Sequence, residues 1–196
     1  MIFPPLFFRE KLQKGFSTPE VILSIFLVSV GMVAIMAVMT STLRYSYQNQ
    51  DVIIATALAQ EGLELVRNIR DNDFADGGIG FPANSFDPNE PYCRTDWNDT
   101  RIRCRSQGQG WGANTVRYDL QLATGLYNHG GLGQGQGEYS RYLYIEYDDT
   151  TGQEKALVRS FVTWGSGAVP PADGNTSACT TVNSCVFLET TLTSWK

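Results

Sequence analysis

The chain has a single histidine, His129, and no recognisable nucleophile motif beside it. A His-ligated metal centre and a His-based catalytic pair therefore lack their usual base. The carboxylates are scattered, so no catalytic constellation forms and no enzyme, cofactor or metal is expected. His129 itself reads as an exposed residue of a Gly-rich loop. The stretch GGLGQGQG at 130–137 lacks a P-loop lysine and precedes a strand rather than opening a helix, so it reads as a mobile connection, not a nucleotide loop. None of the four cysteines stands in a CxxC pair. Cys93, Cys104, Cys179 and Cys185 are spaced C-x10-C and C-x5-C, which favours two local disulfides of an exported domain over a zinc site. Three pairings of four cysteines are open at this point.

Positive charge is also scarce outside the N-terminus. Arg9, Lys11 and Lys14 against Glu10 give the first 15 residues +2, which leaves −7 on the remainder of a chain of net charge −5. An acidic body disfavours bulk electrostatic binding to nucleic acid or anionic lipid.

Two further absences shape the N-terminal half. No charged residue occurs from Val21 to Leu43, and no proline occurs between Pro19 and Pro82. As a helix, the uncharged run would extend ~34 Å, enough to cross a hydrocarbon core of ~30 Å. A secretory signal would carry a shorter apolar core of ~7–15 residues and an A-x-A-like site. A buried core helix is disfavoured because the run is apolar on every face, which only the core of a large protein or a membrane accommodates. Beyond Arg44 the pattern becomes one-sided. Ile54, Ala55, Leu58, Gly62, Leu65, Val66 and Ile69 recur at helical spacing, with Gln and charged residues between them. Gly62 on that stripe would let a sheet come close. One helix is thus expected from about Thr18 to about Asp71. DNDFADGG at 71–78 reads as its polar stop with a glycine terminator. Ala75 and the lack of a spaced glutamate argue against a calcium loop.

Residues 79–113 read as irregular and stapled by cysteines. Four strands are expected after them. VRYDLQLA (116–123) turns Val116, Tyr118, Leu120 and Leu122 to one side, and RYLYIEY (141–147) does so with Leu143, Ile145 and Tyr147. KALVRSFVTW (155–164) offers Val158, Val162 and Trp164, and CVFLETTLTSW (185–195) offers Val186, Leu188 and Leu192. DDTTGQ (148–153) reads as the hairpin turn between the second and third. The expected fold is α+β: a long N-terminal helix, with a protruding transmembrane half and an amphipathic half, the latter packed on an antiparallel sheet of about four strands. The expected divisions are a leader at 1–15, a hydrophobic transmembrane helix at 16–43, an amphipathic half at 44–74 and a disulfide-stapled β-domain at 75–196.

KGFSTPEVILSIFLV, from Lys14, resembles the class III signal of type IV pilins and pseudopilins. That signal is a short basic leader ending in Gly, then Phe, then Glu at the fifth mature position, then a long apolar helix. ALAQEGLELVRNIRD and the ending VTW…VFLETTLTSW resemble minor pilins of the PilV-like kind. The chain departs from the family at Thr18 and Pro19, where aliphatic residues are usual, and lacks the proline many members carry within the apolar run. The resemblance implies cleavage between Gly15 and Phe16 by a prepilin peptidase, N-methylation of Phe16 and an assembly role for Glu20. It implies partners too: other pilin or pseudopilin subunits, the inner-membrane assembly machinery, and membrane lipid before assembly. The implied location is the bacterial inner membrane, single-pass with the N-terminus cytoplasmic, and then a surface or periplasmic filament of the type IV pilus or type II secretion-like kind.

Glu20 also has a local reading. Ser17-Thr18-Pro19-Glu20 is a capping box, or Thr18 is the N-cap with proline at the first helical position. Two other functions are weighed against the filament. One is a single-pass membrane-anchored extracytoplasmic binding domain that never polymerises. The other is a competence-type pilin binding DNA through Arg101, Arg103 and Arg105, which share one face of RIRCR if extended. Against that DNA patch, the same arginines read as a solvated strand edge partnered by Asp96 and Asp99.

Overall fold

A computed structural model of the chain describes residues 15–77, 92–105, 118–129, 138–148, 155–165 and 174–193, leaving aside the side chains of Arg105 and Asp148. It is α+β: among the described residues there are one α-helix, α1 (Thr18–Ala75), and seven strands in one antiparallel sheet. The strands are β1 (Tyr92–Arg94), β2 (Arg103–Arg105), β3 (Asp119–Ala123), β4 (Leu126–His129), β5 (Tyr139–Asp148), β6 (Lys155–Trp164) and β7 (Cys185–Thr193). The sheet is therefore larger than the four strands expected. The chain divides into two compact units, Met1–Tyr47 and Gln48–Lys196.

In the second unit β5 is the hub. One of its edges pairs with β6 along the full length, from Tyr139↔Trp164 to Asp148↔Lys155. The other edge is shared: β3 takes Tyr139 and Ser140, and β1 takes Leu143 and Tyr144. β2 extends β1, β4 extends β3 and β7 extends β6. The turn expected at DDTTGQ falls outside the described residues, as does GGLGQGQG, but the β5–β6 register is that of a hairpin.

Alternation along the strands decides what meets α1. Leu143, Ile145, Ala156, Val158 and Leu192 face Leu63, Val66 and Ile69 of the helix, and all are buried. Val162, Leu120 and Tyr139 meet Ala55, Leu58 and Ala59 one turn and more earlier. Gly62 sits where helix and sheet come closest. A Cβ there would lie 2.6 Å from Ser160 Oγ, 3.1 Å from Arg141 Cδ and 3.2 Å from Leu143 Cδ2, so glycine is what permits the approach.

Part of the opposite face of the sheet is buried as well. Tyr142, Phe161 and Phe187 lie side by side on adjacent strands, with ring centroids 5.0 and 5.6 Å apart. Tyr92, Tyr118 and the Cys179–Cys185 disulfide complete this second core. Each such ring contributes roughly 1.5–3 kcal/mol of burial, so the aromatic layer is not a minor face. Two expectations from alternation need correction here. Leu122 was assigned inward with Leu120, yet it is 63% exposed while Leu120 is 1% exposed. The strand also begins at Asp119 rather than 116, and residues 116–117 lie outside the described residues.

α1 outlasts its expected end at Asp71 by one turn. It stops where Gly77 adopts φ +85, with Asp76 N–H donating to Asn72 O and Gly77 N–H to Phe74 O. Glycine takes that left-handed conformation without a Cβ penalty. Residues 79–113 are not wholly irregular. Among them β1 and β2 form a short hairpin, closed by Cys93–Cys104 at directly opposed positions.

Candidate functional site

Gly15, Phe16 and Ser17 precede the helix in a non-helical backbone, and Phe16 is 82% exposed. Arg9, Lys11 and Lys14 of the expected leader lie outside the described residues. Ser17 O accepts from Glu20 N–H at 3.0 Å and from Val21 N–H at 3.3 Å. A residue whose carbonyl takes the first intrahelical bonds is the N-cap, so that place belongs to Ser17 and not to Thr18. Pro19 falls in the first turn, where an N–H would have had no helical acceptor. Glu20 is then the third helical residue, the capping-box position. Its carboxylate is exposed and makes no hydrogen bond or ion pair among the described residues.

The apolar run that follows satisfies its own polar groups. Ser24 Oγ donates to Glu20 O at 2.7 Å, Ser29 Oγ to Phe26 O at 2.8 Å and Thr40 Oγ1 to Met36 O at 2.9 Å. Ser41 and Thr42 donate to Val38 O. Ile22, Phe26, Val33 and Met36 are each at least 60% exposed. The helix is long and apolar enough to cross a membrane. Among the described residues, Glu20 thus places a carboxyl group at the head of a surface that hydrocarbon would otherwise accept.

A second polar constellation lies in the Gln48–Lys196 unit. Arg141, on β5, is fully buried. Its guanidinium donates to Leu58 O at 3.2 Å and Thr95 O at 3.1 Å, and lies 3.2 Å from Glu61 Oε1. His129, expected in an exposed loop, instead ends β4 with its side chain 1% exposed. Its Nδ1 lies 2.7 Å from Asp96 Oδ1, and its Nε2 lies 2.9 Å from Arg141 O. Its backbone N–H also donates to Asp96 Oδ1, at 2.9 Å. Burial alone would raise the Asp96 carboxyl, but the bonds and charge of His129 outweigh it and hold the group below the usual carboxylate range. Both ring nitrogens are engaged within this cluster. The pair ties β4 and β5 to the β1–β2 turn as a structural strut. Among the described residues no group of three His, Cys, Asp or Glu could hold a metal ion.

The arginines of RIRCR stand near this strut. Arg103 Nη2 meets Asp99 Oδ1 at 2.7 Å, and Asp99 also accepts from Asp96 N–H at 3.1 Å. Arg101 is exposed, and the Arg105 side chain is outside the described residues. Asp99 is therefore the partner expected for this edge, whereas Asp96 belongs to His129. A scan against protein-family models, a search of curated proteins and a search of solved structures each found no match to this chain.

Proposed function

We propose that the chain is a minor pilin or pseudopilin: a structural subunit of a type IV pilus or type II secretion-like filament, held in the bacterial inner membrane by α1 until it assembles. The observation that carries this reading is the head of α1. A Gly15–Phe16 junction lies outside the helix, a Glu20 with no partner among the described residues sits in its first turn, and an apolar surface with self-satisfied hydroxyls follows at once.

The chemistry follows from that order. A prepilin peptidase hydrolyses the accessible bond after Gly15, and the new Phe16 amine carries positive charge and is methylated. When such helices bundle, the Glu20 carboxylate of one subunit meets the Phe16 amine of the next. Two unit charges ~4 Å apart attract by ~4 kcal/mol at an effective dielectric of ~20, comparable with the several kcal/mol of burying one ion. Pairing therefore cancels a penalty that every other register retains, and axial stagger becomes specified.

Glu20→Ala tests this directly. Cleavage and membrane insertion should persist, while the variant should be absent from purified filaments that contain the wild type. Normal incorporation of Glu20→Ala would overturn the pairing step.

A further inference from the structure

The residues just beyond the apolar run have an unassigned character. Arg44, Tyr45 and Tyr47 follow Leu43 on the same unbroken helix, and Tyr45 and Tyr47 are 66% and 65% exposed. We propose that these three side chains form an outer interfacial collar seated among lipid headgroups, and that this register places Glu20 in the opposite headgroup layer rather than in hydrocarbon. The inference rests on the membrane-anchor part of the proposed function, and it uses only residues of the first compact unit.

Tyrosine rings prefer the membrane–water boundary because one end is apolar and the other wet, and an arginine there extends its charge outward. Helical rise sets the rest. From Tyr45 back to Glu20 is about 25 residues, or ~37 Å, and an average tilt of ~20° still leaves ~35 Å along the bilayer normal. The hydrocarbon core is only ~30 Å thick. With Tyr45 at one boundary, the other boundary falls near Leu23 and Ser24, and Glu20 lies beyond it. Sliding the helix outward to bury Glu20 would lift Leu43 and Met39, both at least 60% exposed, toward water. It would also draw the two tyrosines off the interface. Both changes oppose the slide.

The basic leader residues Arg9, Lys11 and Lys14 put the Glu20 end on the cytoplasmic side. In the stored protein the carboxylate is then hydrated and needs no partner, in keeping with its lack of one among the described residues. The demand for a partner arises only when the helix leaves the bilayer, so the ion pair acts on assembly and not on storage.

All four native cysteines are in disulfides, so an introduced cysteine reports alone. The full precursor is placed in sealed vesicles of each orientation and treated with a membrane-impermeant maleimide. Tyr45→Cys should label from the extracytoplasmic side. Glu20→Cys, and Val21→Cys, which keeps the carboxylate, should label from the cytoplasmic side at rates within roughly tenfold of Ser17→Cys, because a thiol reacts only where it is wet enough to ionise. Ile35→Cys should resist label from both sides. If Glu20→Cys and Val21→Cys are as protected as Ile35→Cys, or Tyr45→Cys is protected, the register is wrong. If Ile35→Cys labels readily, it is the membrane anchor that fails.

Discussion

Gly62→Ala should destabilise the protein even though alanine is the better helix former. In an exposed helix the exchange gains about 1 kcal/mol. Here the new methyl would meet Ser160 Oγ at 2.6 Å, well inside ordinary contact, with Arg141 Cδ at 3.1 Å and Leu143 Cδ2 at 3.2 Å behind it. Overpacking of that kind costs about 1–3 kcal/mol, and the two carbons cannot yield as a hydroxyl can. The net loss expected is about 1 kcal/mol. Ser160 Oγ is buried without a hydrogen-bond partner, so Ser160→Ala should cost little alone. It should recover about half of the Gly62→Ala loss, giving a measurable coupling between helix and sheet. Urea unfolding of a soluble fragment from Arg44 onward, followed by far-UV circular dichroism, measures all four corners of the cycle. Gly62→Ala more stable than wild type, with no coupling to Ser160, would refute the close approach.

Three shorter predictions follow from the second unit. The Asp96 carboxyl is held low by His129, so its contribution is fully present above the ordinary carboxylate pKa of ~3.9 and is lost as pH falls through the lower folded value. Asp96→Asn should cost about 2 kcal/mol at neutral pH, by loss of charged hydrogen bonds. It should also flatten the acid limb of a stability–pH curve; an unchanged limb would remove Asp96 as its source. Replacing both Cys93 and Cys104 by Ala opens a loop of separation 11 and should lower stability by about 3 kcal/mol; Cys179 with Cys185, of separation 6, should cost about 2 kcal/mol. Equal losses in paired denaturation curves would contradict the loop-entropy account.

Much of this architecture was legible before the structure because it is written in local periods. The helix followed from an uninterrupted run without proline, and Gly62 was marked by standing on an apolar stripe. β5, β6 and β7 were marked by alternation over seven residues or more, and the strands themselves run to nine or ten. β1 and β2 are three residues each, too short to alternate, and only their cysteines hinted that they meet. The second core was hidden because Tyr142 and Tyr144 fill the alternate positions that a one-sided sheet would leave polar. His129 and Arg141 were missed for a different reason. Their partners lie far away in the chain: Asp96 is 33 residues from His129, and Leu58 is 83 residues from Arg141. A lone histidine and a strand arginine carry no local sign of such pairs. At the N-terminus the residues Ser17 to Glu20 allowed two caps, and backbone hydrogen bonds chose between them.

Glu20 changes meaning once its surroundings are laid out. It caps nothing with its side chain, and every hydroxyl named along the apolar run bonds back to its own helix. What remains is a carboxylate with no partner among the described residues, five residues past Gly15. The filament reading stands on that residue together with the junction before it. Mass spectrometry of the mature protein from its own membranes and filaments is the most direct test. The account predicts a chain beginning at Phe16 and heavier by one methyl group on its amine; a chain that retains Met1 to Gly15, or is cut elsewhere, would contradict it.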